Sequence, residues 1–294
     1  TKGIGKFVMK INLNQLFGLE GRVAAVTGGG GELCGVMAEA LADLGVKVAI
    51  LDIHREHAVH REKTIVQNGG TARAFQCDVL DEANLKDCLA EISEQWEAPD
   101  ILINGAGGNH PKGSTGKAFM EFEDIGNPDI RSLFDLEIEG FRKVFDLNFM
   151  GTFLPTKIFA RGMMSKPKPA GTVLNISSMS ALTPLTKVAA YSAAKAAVSN
   201  FTRWLAVHLA HVGIRVNAIS PGFLMTEQLK FLHIDQETGE LTPRARQVMA
   251  HTPMRRYGKP EELLGTVIWL LSGASQFVTG AVVPIDGGFS SFSI

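Results

Sequence analysis

Tyr191 and Lys195 stand four residues apart in YSAAK, a spacing that puts both side chains on one face of a helix. A tyrosine ordinarily loses its proton at about pH 10. A neighbouring ammonium favours the phenolate and lowers that value. Such a pair can act as acid–base catalyst at an alcohol or a ketone. Ser178 closes an apolar run thirteen residues earlier, where its hydroxyl can hold the substrate oxygen. Tyr-x-x-x-Lys alone occurs on many helices, so its weight comes from what accompanies it. The chain has two tyrosines, and the other, Tyr257, has no cation at helical spacing and reads as packing.

A second constellation lies in TGGGGELCG, Thr27 to Gly35, between an apolar run and a small-residue helical pattern. Glycines between strand and helix let backbone N–H groups approach a pyrophosphate, and the helix N-terminus adds partial positive charge. Asp52 ends the next apolar run, 24 residues after Gly28. An acid there can accept hydrogen bonds from ribose hydroxyls. It also repels a 2′-phosphate, and the next residue is Ile53 rather than an arginine, so NAD is favoured over NADP. The alternative for Asp52 is a helix N-cap before HREH.

His54, His57 and His60 recur every third residue, but steps of three fan around a helix rather than converge. With charged residues between them they read as a solvated face, and no metal site is expected. The three cysteines, Cys34, Cys77 and Cys88, form no CxxC pair and fit reduced thiols in a cytoplasmic protein. A net charge of −1 gives no basic excess for nucleic acid or an anionic membrane. No apolar run approaches membrane-span length, and TKGIGKFV lacks the apolar core of a secretory signal. Met9 is a candidate natural start, which would make residues 1–8 foreign to the natural chain.

These residues need a scaffold, and the chain alternates strand and helix almost throughout. Strands are predicted at 23–27, 46–52, 72–79, 100–104, 171–177, 214–220 and 281–286. Their continuous Val/Ile/Leu runs argue burial on both faces. Repeated βαβ units then imply an α/β fold: one doubly wound, seven-stranded parallel sheet. Residues 1–19 read as an extension and 20–294 as a single domain. Two long connections, about 105–138 and 222–260, follow strand carboxyl ends, the edge that carries ligands in such sheets.

TGGGG, LD at 51–52, CDV at 77–79, NGAG at 104–107, DLNFMG at 146–151, NISS at 175–178, YSAAK, PG at 221–222 and DGG at 286–288 occur in register over nearly the whole chain. This ordered set resembles the short-chain dehydrogenase/reductase family. The resemblance implies a Rossmann fold, NAD(H) as cofactor, and a catalytic group of Asn148, Ser178, Tyr191 and Lys195. Asn148 would hold a proton-relaying water, and Lys195 would also bind the nicotinamide ribose. The implied cofactor-binding set further contains Gly28, Gly30, Gly31, Glu32, Leu33, Asp52, Ile53, Ala106, Gly107 and Tyr191. Asp78 and Val79 would flank adenine, Asn104 would line the cofactor, and Pro221 and Gly222 would frame the nicotinamide. Thr226 would lie near its carboxamide or the phosphates. A homotetramer is implied too, burying the segments near 140–165 and 191–211 and the last strand.

The stretches DILINGAGGNHPK, RVNAISPGFLMTEQ and LTPRARQVMAHTPMRRYGKPEELLGT are similar to family members that act as D-mannonate oxidoreductases. That similarity runs through both long connections and implies a small sugar-acid substrate, reduced from D-fructuronate at carbon 5. A sugar acid needs a carboxylate partner. Asn109 and His110 are the first choices, followed by Lys112, Arg244, Arg246, His251, Arg255 and Arg256. For His110 the alternative is a turn residue before Pro111. Competing readings are a reductase of another polyol or of a 3-oxoacyl thioester, and an NAD-binding sensor without catalysis.

The family loop commonly reads TGxxxGxG, whereas Glu32 and Cys34 occupy its second and third glycine positions here. A carboxylate beside a phosphate is repelled, by about 1 to 4 kcal/mol at ~4 Å depending on solvent exposure. Glu32 is therefore expected to face solvent or cap its own helix, so that Glu32→Val would tighten NADH binding.

Overall fold

Strand β1 (Val23–Thr27) is buried at every position. Alternate side chains leave a strand on opposite faces, and both faces of β1 are covered. Ala24 and Val26 enter one apolar layer, Val23 and Ala25 the other. The computed structural model describes residues 12–166 and 170–293. The candidate start at Met9 and the segment 1–8 lie outside the described residues.

The remaining strands are β2 (Lys47–Asp52), β3 (Thr71–Gln76), β4 (Ile101–Asn104), β5 (Gly171–Ile176), β6 (Ile214–Pro221) and β7 (Val282–Ile285). All pairings are parallel, in the order β3-β2-β1-β4-β5-β6-β7. This is the α/β, seven-stranded parallel architecture expected from the alternating pattern. The helices are α1 (Leu13–Phe17), α2 (Glu32–Asp43), α3 (Arg55–Gln67), α4 (Glu82–Gln95), α5 (Ile138–Phe145), α6 (Gly151–Met164), α7 (Ala189–His208), α8 (Glu227–His233), α9 (Pro243–His251) and α10 (Leu264–Leu271). Met37 and Leu41 of α2, Ile65 of α3 and Leu270 of α10 pack one sheet face. Leu85 and Ile92 of α4, Phe159 of α6 and Leu205 of α7 pack the other.

The two edges depart from burial on both faces. β3 is mostly accessible, as befits an edge strand, and it stops at Gln76, so Cys77, Asp78 and Val79 belong to the following loop. β7, the opposite edge, is only half-buried and contains Pro284, a residue that sheets tolerate at edges.

The strand order reverses between β1 and β4. Their carboxyl ends therefore open a crevice, the usual ligand position in such sheets. Thr27 clamps its two rims together: its hydroxyl oxygen accepts from the N–H groups of Gly105 at 3.1 Å and Ala106 at 3.2 Å. The long connections close over the same edge. The first is tied down where Thr115 donates to the Lys187 carbonyl at 2.9 Å. The second is not a plain loop but carries α8 and α9. Thr226 and Thr242 cap those helices by accepting from Leu229 and Ala245, and Pro243 supplies a preset first turn.

Candidate active site

The glycine loop has the backbone geometry of a phosphate cradle. Gly28 has φ +64°, and a Cβ there would stand 3.0 Å from the Ala106 nitrogen. A Cβ at Gly30 would meet His57 at 2.7 Å. Only glycine fits at either point. The loop opens into a cleft of 780 Å³ lined by Gly28, Gly31, Glu32, Leu33, Asp52, Ile53, Asp78, Val79, Ala106, Gly107, Tyr191, Lys195, Gly222 and Thr226. This length of cleft, with a glycine turn at a helix start, fits an extended dinucleotide.

Asp52 is nearly buried at the end of β2. Its carboxylate accepts from the Gly30 N–H at 3.1 Å and from the His54 N–H at 3.0 Å. It therefore shapes the loop as well as facing the cleft. The N-cap position before α3 is His54, not Asp52. His54, His57 and His60 are exposed, as a solvated face requires, although the first two also reach the cleft rim.

Glu32 behaves differently from expectation. It is the first residue of α2 and half-exposed, yet it does not cap its own helix. Its Oε2 accepts from the backbone N–H of Glu227 at 2.9 Å. The carboxylate thus caps α8, across the cleft, because that helix start offers unpaired N–H groups within reach.

Three other expected positions fall outside the lining. Gly30 lies behind the loop, held by Asp52, and Pro221 sits within β6. Asn104 is buried beneath the cleft, donating to Thr156 and Asn175 at 2.8 Å each. Its side chain bridges the sheet to α6. Its own Oδ1 is buried without a protein partner.

The catalytic candidates converge at one end of this cleft. Asn148 lies in a π turn, Asp146–Met150, that interrupts α5 and α6. Its amide donates to the carbonyls of Gly108 at 2.7 Å and Val144 at 2.8 Å, and its Oδ1 accepts from the Gly108 N–H at 3.3 Å. A Cβ on Gly107 would lie 2.7 Å from Asn148 Oδ1 and 3.2 Å from Lys195 Nζ, so the glycine backbone threads between them. Lys195 is buried, donates to the Ile176 carbonyl at 2.8 Å, and lies 5.7 Å from the Tyr191 ring centre. Burial pulls the Lys195 pKa down to about 8. Ser178 follows β5 and opens a turn that packs against α7, and its hydroxyl opposes the rise that burial gives the Tyr191 pKa.

One electrostatic expectation is corrected. Burial pushes the Tyr191 pKa up, and the pull in the other direction comes from the Ser178 hydroxyl rather than from Lys195. The Lys195 ammonium sits over the ring face, and desolvation of the phenolate outweighs the Ser178 hydrogen bond.

A smaller cavity of 220 Å³ adjoins this end, lined by Thr183, Pro184, Leu185, Thr186, Phe223, Arg244, Gln247, Val248, His251 and Phe289. Phe223 lies between Gly222 and Leu224, both of which line the large cleft. The Leu185 N–H bonds the Ser192 hydroxyl, next to Tyr191, at 3.3 Å. Arg244, Gln247 and His251 share one face of α9, turned toward Thr183–Thr186. Of the charged carboxylate candidates, Lys112 pairs with Glu137, Arg246 with Glu240 and Arg256 with Glu262. Arg244 and Arg255 have no ion-pair partner among the described residues, and of the two Arg244 lines this cavity. Asn109 and His110 are used locally: Asn109 donates to Ser114 at 2.9 Å, and His110 Nδ1 accepts from Lys112 at 3.2 Å. They form the turn before Pro111 and line neither of these two cavities.

Gln247, Phe223 and the 183–186 stretch were not singled out by sequence. The i, i+3, i+7 spacing of Arg244, Gln247 and His251 is the signal that marks their common face on α9.

Residues 33–290 match the family model described as enoyl-(acyl carrier protein) reductase. An uncharacterised oxidoreductase of Haemophilus influenzae is 46% identical over 98% of this chain and 99% of its own. The uncharacterised oxidoreductase UxuB of Bacillus subtilis is 48% identical over 94% of this chain and 97% of its own. A crystal structure with bound NAD, provisionally named a D-mannonate oxidoreductase from Haemophilus influenza, superposes with a TM-score of 0.89. It is 46% identical, over 96% of this chain and 99% of that one. Among the described residues no helix is long and apolar enough to cross a membrane.

Proposed function

This chain belongs to the short-chain dehydrogenase/reductase family of NAD(P)-dependent oxidoreductases, and on that premise we propose that it interconverts D-fructuronate and D-mannonate with NAD(H). The observation that carries the substrate reading is Arg244, an unpaired guanidinium lining a 220 Å³ cavity beside the catalytic group. A guanidinium grips a carboxylate with two bonds, and a cavity of that size suits a six-carbon acid. The name given to the NAD-bound relative supports the same reading.

The cleft would hold the dinucleotide along Gly28–Leu33, with Asp52 toward the adenosine ribose and Gly107, Gly222 and Thr226 toward the nicotinamide. When bound, the nicotinamide supplies the hydride for reduction and takes it back in oxidation. Ser178 donates a hydrogen bond to the ketone oxygen. Tyr191 gives that oxygen its proton as carbon 5 is reduced. Protonated Lys195 stabilises the resulting phenolate, and Asn148 holds the β4 loop against it. Orientation of these groups carries much of the rate. The small apolar faces of α7, with Trp204 and Val207 exposed, support a homotetramer, checked by light scattering.

The test is a panel of keto sugar acids and neutral ketoses assayed with NADH and NADPH, and of the matching sugar acids and polyols assayed with NAD and NADP, by nicotinamide absorbance. D-fructuronate with NADH is expected to be turned over fastest. Tight NADH binding without turnover of any member would make the protein a sensor instead.

A further inference from the structure

The Ser178 hydroxyl has an unusual set of partners. It accepts from the backbone N–H of Ser180 at 3.2 Å and from the Ser180 hydroxyl at 3.0 Å. A serine oxygen has two acceptor sites and one proton. Both acceptor sites are filled from one residue, so the proton is left for a third direction. Tyr191 is carried by α7, which packs against the turn that Ser178 opens, and the Ser178 hydroxyl opposes the rise that burial gives the Tyr191 pKa.

We propose that Ser180 is a positioning residue that fixes Ser178 as a hydrogen-bond donor, its one proton directed to Tyr191 while the site is empty and to the substrate oxygen once a ketone is bound. The idea rests on the catalytic reading of Ser178 and Tyr191. A free hydroxyl rotates, and half of its useful orientations would accept rather than donate. A Ser178 that accepts from Tyr191 would hold the very proton that Tyr191 must deliver. A Ser178 that donates leaves that proton free and supports the phenolate once it has gone.

Two observations separate this from a turn-forming role. The Met179–Ala181 turn is already closed by Ala181 and Leu182 donating to Ser178 and Met179, each at 2.9 Å, and by the Ser180 N–H. The Ser180 hydroxyl adds nothing to that closure, and its recorded hydrogen bond is the one to Ser178. Ser180 is also fully buried, so bulk water cannot take its place.

The experiment compares Ser180→Ala and Ser180→Cys, each in the wild-type and the Ser178→Ala background. It uses whichever ketone of the substrate panel the wild type reduces, so an error about the sugar acid leaves the test intact. In the wild-type background kcat is expected to fall about tenfold for both variants, with KM within about twofold. Cysteine fills the space but is a weak donor, so it should not rescue. On Ser178→Ala neither substitution should cost anything further. NADH affinity should be unchanged, which reports an intact fold. Full kcat in Ser180→Cys, or a tenfold loss persisting on Ser178→Ala, would assign Ser180 to packing and overturn the proposal. A wild type that reduces no ketone removes the catalytic premise and the proposal with it.

Discussion

Glu32, at the start of α2, and Glu227, at the start of α8, are joined by a 2.9 Å hydrogen bond although 195 residues separate them. The acid in the glycine loop is a strap between the cradle and the helix that covers it. It is expected to slow cofactor release. Glu32→Val should therefore raise the NADH dissociation rate several-fold, opposite to the tightening anticipated from charge alone. Glu32→Gln keeps an acceptor oxygen and removes the charge, so it should bind NADH as tightly as wild type or better. Stopped-flow fluorescence distinguishes them, and slower release from Glu32→Val would refute the strap.

Asp52 holds both Gly30 and His54 by their N–H groups. Asn at this position can accept with only one of its two side-chain atoms. Asp52→Asn should weaken NADH binding about tenfold, with NADPH losing less because repulsion of the 2′-phosphate is relieved. Fluorescence titration with both dinucleotides gives the ratio. An unchanged ratio would mean that Asp52 only shapes the loop.

Lys195 carries a pH signature. Its pKa is pulled down to about 8 by burial, and reduction needs it protonated beside a protonated Tyr191. The kcat/KM for reduction should be flat below about pH 8 and fall as pH rises through it. A profile flat to about pH 10, the range of an unperturbed lysine, would contradict this.

The same burial makes Lys195 a stability cost. A lysine whose pKa is depressed from 10.5 to about 8 binds fewer protons folded than unfolded between those values, so stability rises with pH across that window. Below it the penalty is fully present, at about 3 kcal/mol for a shift of this size. Lys195→Met should thus be inactive yet more stable than wild type at neutral pH, with the gap narrowing above about pH 8. Denaturant melts at two pH values measure it, and a destabilised Lys195→Met would show that its bond to Ile176 outweighs the desolvation.

Arg244→Gln should raise KM for the sugar acid about tenfold with little change in kcat, since it removes uniform binding. Neutral polyols should be unaffected. An equal loss on charged and neutral substrates would place the carboxylate elsewhere.

Much of this was legible along the chain. Val23–Thr27 and Ile101–Asn104 read as doubly buried strands because their apolar runs are continuous. Tyr191 and Lys195 were found by a four-residue spacing within one helix. Gly28 could be recognised because a glycine in a strand-to-helix turn signals a backbone constraint, here a positive φ. Each signal is local, carried by neighbours whose geometry the backbone itself sets.

The misreadings share the opposite property. Glu32 was judged by its own helix, but its partner comes from another connection. The Asn104 side chain is held in the core by Thr156 and Asn175, partners 52 and 71 residues away that the local motif does not reveal. The Tyr191 pKa follows desolvation, which depends on everything packed around the ring. Asn109 and Arg244 could not be ranked while both were charged or polar loop positions. The strand and helix pattern, the glycine cradle and the Tyr–Lys pair are written along the chain, because hydrophobic period and residue spacing are properties of a single segment. Which polar groups are already paired emerges on folding alone, because hydrogen bonds and burial are set by segments that meet only then.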